Sequence, residues 1–405
     1  MARATGDMDA RKAWALGVVL GAVGLPGATS AQPTSGASVS PPSSIAADCS
    51  VDVSSSLGVW LRAQPAGTAV DMAGDCYQVD EGLRLTFPTD LTIDGGTFEN
   101  MATSPPPRNG HEAQRGFPAF NVVGGSGVTF ENLDIEGADP SGAYTASMAF
   151  AGGIELQGTS DATISGVTVS SVFGDGITLA PLRGGKEHDT GKIVSPVTNV
   201  TASDITVDGA GRMGVTFGSV DGATMTNLSI SDVGLDTFDV EADQGNEGSE
   251  NVTINGCTAS SAVTSNLART FFSNGGLGAG SRTGNITVEN CVMTEPQGTA
   301  ALQLLRPGNG KFDRGPFSFD NDTFACGQST SATLVACMAV SGTNVTVQDS
   351  TFTFPTTSPV EAVYTAAISS TIAFDDDTVT GYGAVGTSDA TSTVNITGGT
   401  WTPAA

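Results

Sequence analysis

The stretch LTIDGGTF (residues 91–98) contains the pattern that decides the fold, because the same eight-residue phrase returns ten more times before the chain ends. Its first and third residues are apolar, its second is usually Thr, and its fifth is always Gly, Asn or Asp. A phrase that recurs every two to three dozen residues is typical of a solenoid, in which each repeat packs on its neighbours. The copies begin at Leu91, Val128, Ala162, Val200, Ala223, Val252, Ile286, Phe317, Val345, Ile372 and Val394.

Each phrase predicts a strand, a tight bend and a second strand. Apolar and hydroxyl residues alternate on both sides of position five, and that position takes only residues that tolerate a positive φ. A third strand precedes most phrases, as in GIELQ (153–157) and GITL (176–179). Parallel crossovers are right-handed in roughly 98% of cases. The sequence therefore predicts an all-β protein, a single-stranded right-handed parallel β-helix of about eleven turns, stacked about 4.8 Å apart.

These repeats resemble the pectate-lyase-like superfamily of right-handed parallel β-helices over roughly residues 82–401. The residues at position five are similar to the Asn ladder of that superfamily, whose stacked side chains bridge consecutive turns. Within this region, GRMGV (211–215) and TFDVE (237–241) resemble a group of secreted bacterial repeat proteins. The resemblance implies a parallel β-helix in a secreted protein, and it implies no particular activity.

The N-terminal residues predict export and a cap. Residues 1–31 have basic residues, an apolar run and a small-residue cleavage zone, as a secretory signal does, and residues 32–47 read as a linker rich in Pro and Ser. Residues 48–81 are predicted as a cap on the β-helix domain, residues 82–405. In the cap, Leu57, Trp60 and Leu61 have helical spacing, and a short helix from Ser54 to Gln64 would cover the open end of the core.

The net charge restricts the classes of partner, and the cysteines indicate the cellular compartment. With 42 acidic against 16 basic residues and a net charge of −26, the chain is unsuited to nucleic acid or anionic membrane, and we expect a secreted monomer. Cys257 and Cys291 occupy the same position of consecutive phrases, so they stack either as a disulfide or as an unbonded pair. The remaining cysteines predict two further links, Cys49 with Cys76 and Cys326 with Cys337.

Polar residues converge on the outer face of the third-strand sheet. Alternation directs Ile154, Ile177 and Phe238 inward, and Glu155, Thr178, Thr216, Asp239 and Gln303 outward. At the entrance to this sheet, consecutive turns contribute further charged residues. The predicted catalytic set is Asp175, Arg212, Asp236, Asp239, Glu241 and Arg269. Substrate contacts are predicted for Glu155, Lys186, His188, Phe272 and Gln303, with Phe272 as the one outward aromatic side chain.

Three interpretations of this polar field remain open. Closely spaced carboxylates couple their titrations, so one can stay protonated and serve as the acid of a glycoside hydrolase. Alternatively Asp239, Glu241 and Asp243 hold Ca²⁺, which neutralises a uronate while Arg212, Arg269 or Lys186 acts as the base of a polysaccharide lyase. In the third interpretation the alternating charges are a structural ion-pair ladder. The runs DND (320–322) and DDD (375–377) fall at the repeat bend and predict turn residues first and calcium ligands second.

The predicted function is accordingly a secreted polysaccharide lyase or glycoside hydrolase that acts within a polymer chain. A long surface along stacked turns suits an extended polysaccharide better than a small molecule. The alternative is a non-catalytic extracellular scaffold that binds carbohydrate or protein along the same sheet, whose outward positions are rich in Thr, Ser and Gly.

Overall fold

The computed structural model describes residues 38–105, 116–139, 141–184, 192–242, 247–260, 270–277, 281–294, 301–305, 315–326, 336–354 and 362–404. The predicted signal, residues 1–31, lies outside these ranges. Within them the chain forms a stack of short strands, with one α-helix at Ser54–Arg62 and one 3-10 turn at Ala146–Met148. No helix in the described part of the chain has the length and apolar character needed to cross a lipid bilayer.

The third strands of the repeat form a parallel sheet of eleven strands, which we call the outer sheet. Each strand pairs in parallel with the one from the turn before and the one from the turn after. Its strands are Leu83–Thr86, Phe120–Val123, Ile154–Gln157, Ile177–Ala180, Val215–Phe217, Phe238–Ala242, Phe272–Leu277, Leu302–Leu305, Ala336–Ser341, Ala362–Ala367 and Ala384–Ser388.

The eight-residue phrases form the second sheet, in which each phrase pairs in parallel with the next. Four phrases near the middle run as one long strand, whereas the others are split at the bend. The strands are Asp48–Asp52, Ala69–Asp71, Cys76–Gln78, Thr92–Asp94, Thr97–Asn100, Thr129–Glu131, Asp134–Gly137, Thr163–Ser165, Thr168–Ser170, Val197–Asp208, Val220–Ser231, Ser249–Ser260, Gly284–Thr294, Phe317–Asp320, Thr323–Ala325, Asn344–Gln348, Thr351–Thr353, Thr371–Asp375, Thr378–Tyr382, Thr393–Thr397 and Thr400–Pro403. A separate antiparallel hairpin pairs Leu182–Gly184 with Lys192–Ser195.

The bend at position five has the predicted geometry in every phrase. All eleven residues there have a φ between 50° and 75°, from Asp349 to Gly95, so the restriction to Gly, Asn and Asp follows from backbone sterics. Several of the Asn side chains also bridge turns. Asn132 donates from Nδ2 to Asp94 Oδ1 over 2.8 Å, and Asn321 donates to Asn290 Oδ1 over 2.7 Å. The parallel pairing and this bend confirm the all-β parallel β-helix.

The core is a continuous apolar column between the two sheets. Aromatic rings from successive turns touch within it; the Phe120 ring centroid lies 4.7 Å from that of Phe98 and 5.0 Å from that of Phe130. In the parallel pairing of adjacent turns, equivalent positions of the repeat lie above one another. An apolar residue in one phrase is therefore covered by the apolar residue at the same position of the next phrase. The core therefore fills the interior, and chemistry is restricted to the outside.

The segment predicted as a cap contains both a helix and the first paired strands. Leu57 and Leu61 of the helix are buried against the core, and Trp60 packs partly against it. Ala69–Asp71 pairs in parallel with Thr92–Asp94, so the stacking of strands already begins before residue 82. All six cysteines form disulfides in the predicted pairs, and Cys257 and Cys291 are bonded across adjacent turns with a Cα–Cα distance of 4.4 Å.

The outward placement of Phe272 is wrong. The parallel register puts Phe272 opposite Phe238 and Leu302, which belong to the inward column, and its side chain is fully buried. Its ring centroid lies 6.1 Å from those of Phe317 and Phe319. Because side chains alternate along a strand, the outward position of this turn belongs to Ser273 instead.

Candidate functional site

One row of side chains runs along the exterior of the outer sheet. The parallel register aligns Glu155 with Thr178, Thr178 with Thr216 and Thr216 with Asp239, so these predicted outward residues do share a line. The row continues from Asp239 to Ser273 and from Ser273 to Gln303. With turns about 4.8 Å apart, polar groups recur along it at that spacing.

Arg212 lies at the centre of the charged residues and joins two turns. Its Nη1 lies 3.3 Å from Asp175 Oδ2, and its Nη2 lies 2.8 Å from Glu241 Oε2. The arginine is only 9% exposed, whereas the side chain of Glu241 is 30% exposed. The neighbouring carboxylates, Asp175 first, raise the pKa of the Arg212 guanidinium further, so this group holds its proton firmly.

Asp175 is a buried carboxylate with a complete set of donors. Its Oδ2 accepts hydrogen bonds from Thr178 Oγ1 at 3.0 Å and Thr216 Oγ1 at 2.9 Å, besides the contact with Arg212. Its Oδ1 accepts from the backbone N–H of Met213 at 3.2 Å. Burial raises the pKa of Asp175, and Arg212 is the largest influence in the opposite direction. Asp175 is 5% exposed, so it positions Arg212 and does not meet solvent.

Asp236 and Asp239 are joined by one serine. Ser273 Oγ lies 2.9 Å from Asp236 Oδ2 and 2.7 Å from Asp239 Oδ1. Asp236 also accepts from the backbone N–H of Thr270 at 2.9 Å and from its Oγ1 at 2.6 Å, both on Oδ1. Asp236 is partly exposed and Asp239 is fully buried. Burial raises the pKa of Asp236, with the charge of Glu241 adding to that effect.

Glycines at the strand entrances let these charged residues approach one another. A Cβ added at Gly214 would lie 2.7 Å from the carbonyl oxygen of Thr237 in the next turn, and one at Gly176 would lie 2.7 Å from that of Gly214. Real Cβ atoms do not come so close, so these glycines permit turns to stack tightly beside Asp175 and Arg212. This explains why GDG (174–176) and GRMG (211–214) occur in this sequence.

A second polar group lies on the same row toward the N-terminus. Glu155 accepts from Asn121 Nδ2 at 2.6 Å and from Gln157 Nε2 at 2.8 Å. Burial raises the pKa of Glu155, and Asp175 contributes in the same direction. Glu155 therefore interacts electrostatically with Asp175, although two strands lie between Glu155 and Asp239 in the row.

The structure thus brings Asp175, Arg212, Asp236, Asp239 and Glu241 together. Arg269, Asp243, Lys186 and His188 lie outside the described residues, so their predicted roles, and the Ca²⁺ site that includes Asp243, stay predictions. Gln303 is partly buried next to Ser273 in the row.

Sequence reasoning missed Ser273 as a site residue because the assignment of Phe272 displaced it by one place. Thr216 was recognised as outward but not as a donor to Asp175, since a threonine on a strand carries no signal of its own. In both cases the contact joins side chains from different turns, and the register between turns supplies it.

No protein-family model matches this sequence, and none of the curated proteins matches it. Solved structures do match its fold. A double mutant of the tailspike protein of E. coli bacteriophage HK620 is similar with a TM-score of 0.58 at 12% identity, covering 88% of this chain and 66% of the tailspike chain. A second mutant of the same tailspike, in complex with a hexasaccharide, has a TM-score of 0.56 at 12% identity, covering 89% and 65%.

The catalytic unit of a thermostable GH87 alpha-1,3-glucanase from Streptomyces thermodiastaticus strain HF3-3 is similar with a TM-score of 0.53 at 13% identity, covering 91% of this chain and 71% of the glucanase unit. The chain spans less than two thirds of the length of the two tailspike chains. At these identities the likeness shows the fold alone, a parallel β-helix.

Proposed function

We propose that this protein is a glycan-active enzyme, a glycoside hydrolase that cleaves within a polysaccharide chain, and that Asp236 and Glu241 are its catalytic carboxyl groups. One observation carries the proposal: two partly exposed carboxyl groups on one turn have opposite electrostatic surroundings. Asp236 is a carboxyl whose pKa burial raises, and Glu241 is a carboxylate in direct contact with the Arg212 guanidinium. Glycoside hydrolysis needs one protonated and one ionised carboxyl group flanking the scissile bond.

In this mechanism Asp236 protonates the glycosidic oxygen as the bond to the anomeric carbon breaks. Glu241 stabilises the positive charge that develops on the sugar, either by attacking the anomeric carbon or by activating a water molecule. Arg212 contacts Glu241 through Nη2 as its counter-charge, and Asp175 contacts Nη1 of the same guanidinium. Asp239 is fully buried, so it acts on the reaction only through its neighbours.

Elimination by a lyase is the less favoured chemistry on this geometry. A lyase needs an unprotonated base that takes a proton from the sugar. Arg212 contacts two carboxyl groups, which favour its protonated form. The other predicted bases, Lys186 and Arg269, lie outside the described residues. Ca²⁺ bound by Asp239 and Glu241 would compete with Arg212, whose guanidinium already contacts Glu241 at 2.8 Å. The test below therefore includes Ca²⁺ as a variable.

The surroundings of the two carboxyl groups support a polymeric substrate. The row of polar side chains follows the stacked turns on both sides of Asp239, and an extended chain can contact its partly exposed members, Glu155, Thr178 and Gln303. Two of the similar structures are a tailspike in complex with a hexasaccharide and an alpha-1,3-glucanase. One fold hosts many activities, so these similar structures support only a glycan as the class of substrate. The proposed reaction, hydrolysis, is argued from the carboxyl groups.

The test is to incubate the purified protein with plant, algal and bacterial polysaccharides, with and without Ca²⁺, and to follow reducing ends and unsaturated ends separately. We expect reducing ends alone. Asp236→Asn and Glu241→Gln should each lower the rate by about 10²–10⁴-fold. Asp134→Asn, which removes an exposed carboxylate from the other sheet, is the matched control and should keep the full rate.

Each alternative has its own outcome in this experiment. Unsaturated ends would show elimination and overturn the hydrolase. Full activity in both Asp236→Asn and Glu241→Gln would show that the reaction occurs elsewhere on the protein. Binding of a polysaccharide without any product would favour the non-catalytic scaffold.

A further inference from the structure

We propose that the N-terminal end of the outer sheet carries a second carbohydrate-binding site, in which the Phe87 ring stacks on one sugar residue of a polysaccharide. The site lies apart from the central charged residues and has no part in the proposed hydrolysis, so it can exist whether or not the protein cleaves glycans. Phe87 directly follows the first outer-sheet strand, Leu83–Thr86. It is 66% exposed, the largest fraction of any large apolar residue in the described ranges.

The backbone of Phe87 has a conformation that bulky residues rarely adopt. Its φ is 51°, in the left-handed region. The parallel register places Gly124 and Gly158 at the same bend of the next two turns, with φ values of 65° and 57°. Glycine adopts this conformation without steric cost. An exposed aromatic ring therefore occupies a bend that glycine would fit better, and residues strained in this way cluster at ligand sites.

The next turn of the β-helix leaves room for the ring and supports it. A Cβ added at Gly124 would lie 2.5 Å from Cε1 and 2.6 Å from Cδ1 of Phe87, closer than real Cβ atoms approach. The ring therefore rests on the Gly124 backbone, and the Phe87 N–H donates to the Val123 carbonyl at 2.8 Å. A ring that is held at its base and exposed elsewhere loses little conformational freedom when a ligand binds to it.

Beside the ring lies a depression between the end of the N-terminal helix and this bend. It encloses about 480 Å³ of empty space, part of it open to solvent, and this volume is in the usual range of small-ligand sites. Exposed Thr86 and Thr89 and the partly exposed Gln64 contribute hydroxyl and amide groups to its lining. Gln64 Nε2 donates to the Trp60 carbonyl at 2.9 Å, which fixes the position of the amide.

The chemistry of this lining favours a sugar over a lipid. A pyranose has a face of C–H groups, which suits the negative face of an aromatic ring, and a rim of hydroxyl groups, which suits threonine and glutamine side chains. Of the described residues that line the depression none is acidic, and Arg62 is the only charged one, although the chain has a net charge of −26. Arg62 Nη1 donates to the Arg84 carbonyl at 2.7 Å, which holds the guanidinium in place. Both neutral and acidic sugars are therefore compatible with the site.

The test measures the binding of four hexasaccharides to the full protein by isothermal titration calorimetry, with Glu241→Gln present throughout so that no ligand is consumed. The probes are cellohexaose and laminarihexaose as neutral chains, and hexagalacturonate and hexaguluronate as acidic chains. We expect at least one probe to bind, and Phe87→Gly to weaken that binding by about tenfold or more. Because glycine fits the positive φ, the urea midpoint of Phe87→Gly should not fall.

Ile368→Gly is the matched control, because it removes a side chain of similar exposure from a similar bend. Ile368 has a φ of 56°, is 49% exposed and directly follows the outer-sheet strand Ala362–Ala367, near the other end of the sheet. This variant relieves the same backbone strain far from the depression. Its affinity for the probe should therefore equal that of the protein with Ile368 intact.

An unchanged affinity in Phe87→Gly overturns the proposal, as does an absence of binding to all four probes. An equal loss in Ile368→Gly also overturns it, because the loss would then not be specific to the depression. If Phe87→Gly does not fold, Phe87→Asn replaces it, since asparagine tolerates a positive φ. Binding that depends on Phe87, in a protein that releases no reducing ends from any polysaccharide, would support this site and reject the hydrolase.

Discussion

Buried carboxyl groups of the outer sheet can be compared with buried carboxyl groups of the core, and the two sets differ in what faces each carboxyl. On the outer sheet, Asp175 and Asp239 lie beside a guanidinium and several hydroxyl donors. In the C-terminal half of the core, Asp322 and Asp377 lie at position six of their phrases, where other phrases carry Leu133, Val167 or Leu228. Both core aspartates are only 1% exposed.

The core aspartates are held by backbone groups alone. Asp322 Oδ1 accepts from the backbone N–H of Cys291 at 2.8 Å, and Asp377 Oδ1 accepts from that of Ser350, also at 2.8 Å. Within the described ranges neither residue forms an ion pair, and the Oδ2 atom of each has no hydrogen-bond partner. Burial raises the pKa of Asp322 to about 8 and that of Asp377 to about 6.

A serine lies between two carboxyl groups in each region, and its role differs. Ser273 places its hydroxyl between two carboxyl oxygens. Ser350 donates its hydroxyl to the Gln348 carbonyl and accepts from the Asp322 N–H, so it links turns without linking carboxyl groups. Burial raises the pKa of the core aspartates with no described cation beside them, whereas on the outer sheet Arg212 opposes the effect of burial on Asp175.

Among the variants that test this difference between the two sets of carboxyl groups, Arg212→Ala should have the largest effect on stability and activity. Removing the guanidinium leaves Asp175 buried without its counter-charge, which typically costs about 3–5 kcal/mol of stability, and any cleavage should be lost. Urea denaturation measures the loss of stability, and the polysaccharide assay measures the loss of cleavage. Arg62→Ala, at an exposed arginine of the N-terminal helix, is the control and should change the free energy of unfolding by less than about 1 kcal/mol. A stable and active Arg212→Ala protein would remove the distinction between the regions.

Asp322→Asn should have the next largest effect, and it should depend on pH. A native pKa of about 8, against an ordinary value of 3.8 for the aspartate carboxyl, means that the native state binds the proton more tightly than the unfolded state does. Its contribution to stability is intact below about pH 4 and is lost as the pH rises to about 8, at up to about 1.4 kcal/mol per pH unit. The amide needs no proton, so the variant should gain several kcal/mol over the wild type between pH 4 and 8, at most about 1.4 kcal/mol for each of these roughly four pH units.

Urea denaturation at a series of pH values checks this prediction, with Asp134→Asn as the exposed control. The same offset from the wild type at every pH would mean that Asp322 does not titrate in this range.

Asp377→Asn should give the smallest of these effects, in a narrower window. Its pKa of about 6 confines the loss of stability to the interval between about pH 4 and 6, and above that the gain of the variant over the wild type should be constant. The same pH series measures it. A gain that continues to grow between pH 6 and 8 would contradict the difference between the two core aspartates.

Much of the fold and part of the site could be predicted because they depend on local patterns. The identity of the bend residues, such as Asn132 and Asp376, predicts their positive φ. The position of the cysteines in the repeat predicts which of them stack. The outward positions of Thr178, Thr216 and Asp239 follow from alternation within single strands. Phe272 shows the limit of that reasoning, because two adjacent phenylalanines leave the phase of the alternation undecided until the neighbouring turn is paired.

The architecture follows from the sequence, because a repeated phrase stacks on itself and each turn needs the same bend and the same apolar positions. It also brought Asp175, Arg212 and Asp239 to consecutive turns on one side of the molecule. Only the tertiary structure decided which carboxyl groups meet Arg212, that Ser273 lies between Asp236 and Asp239, and that Asp322 and Asp377 enter the core. The physical reason is that a carboxyl group's pKa and chemistry depend on the groups within a few ångströms of it, and here those groups come from other turns.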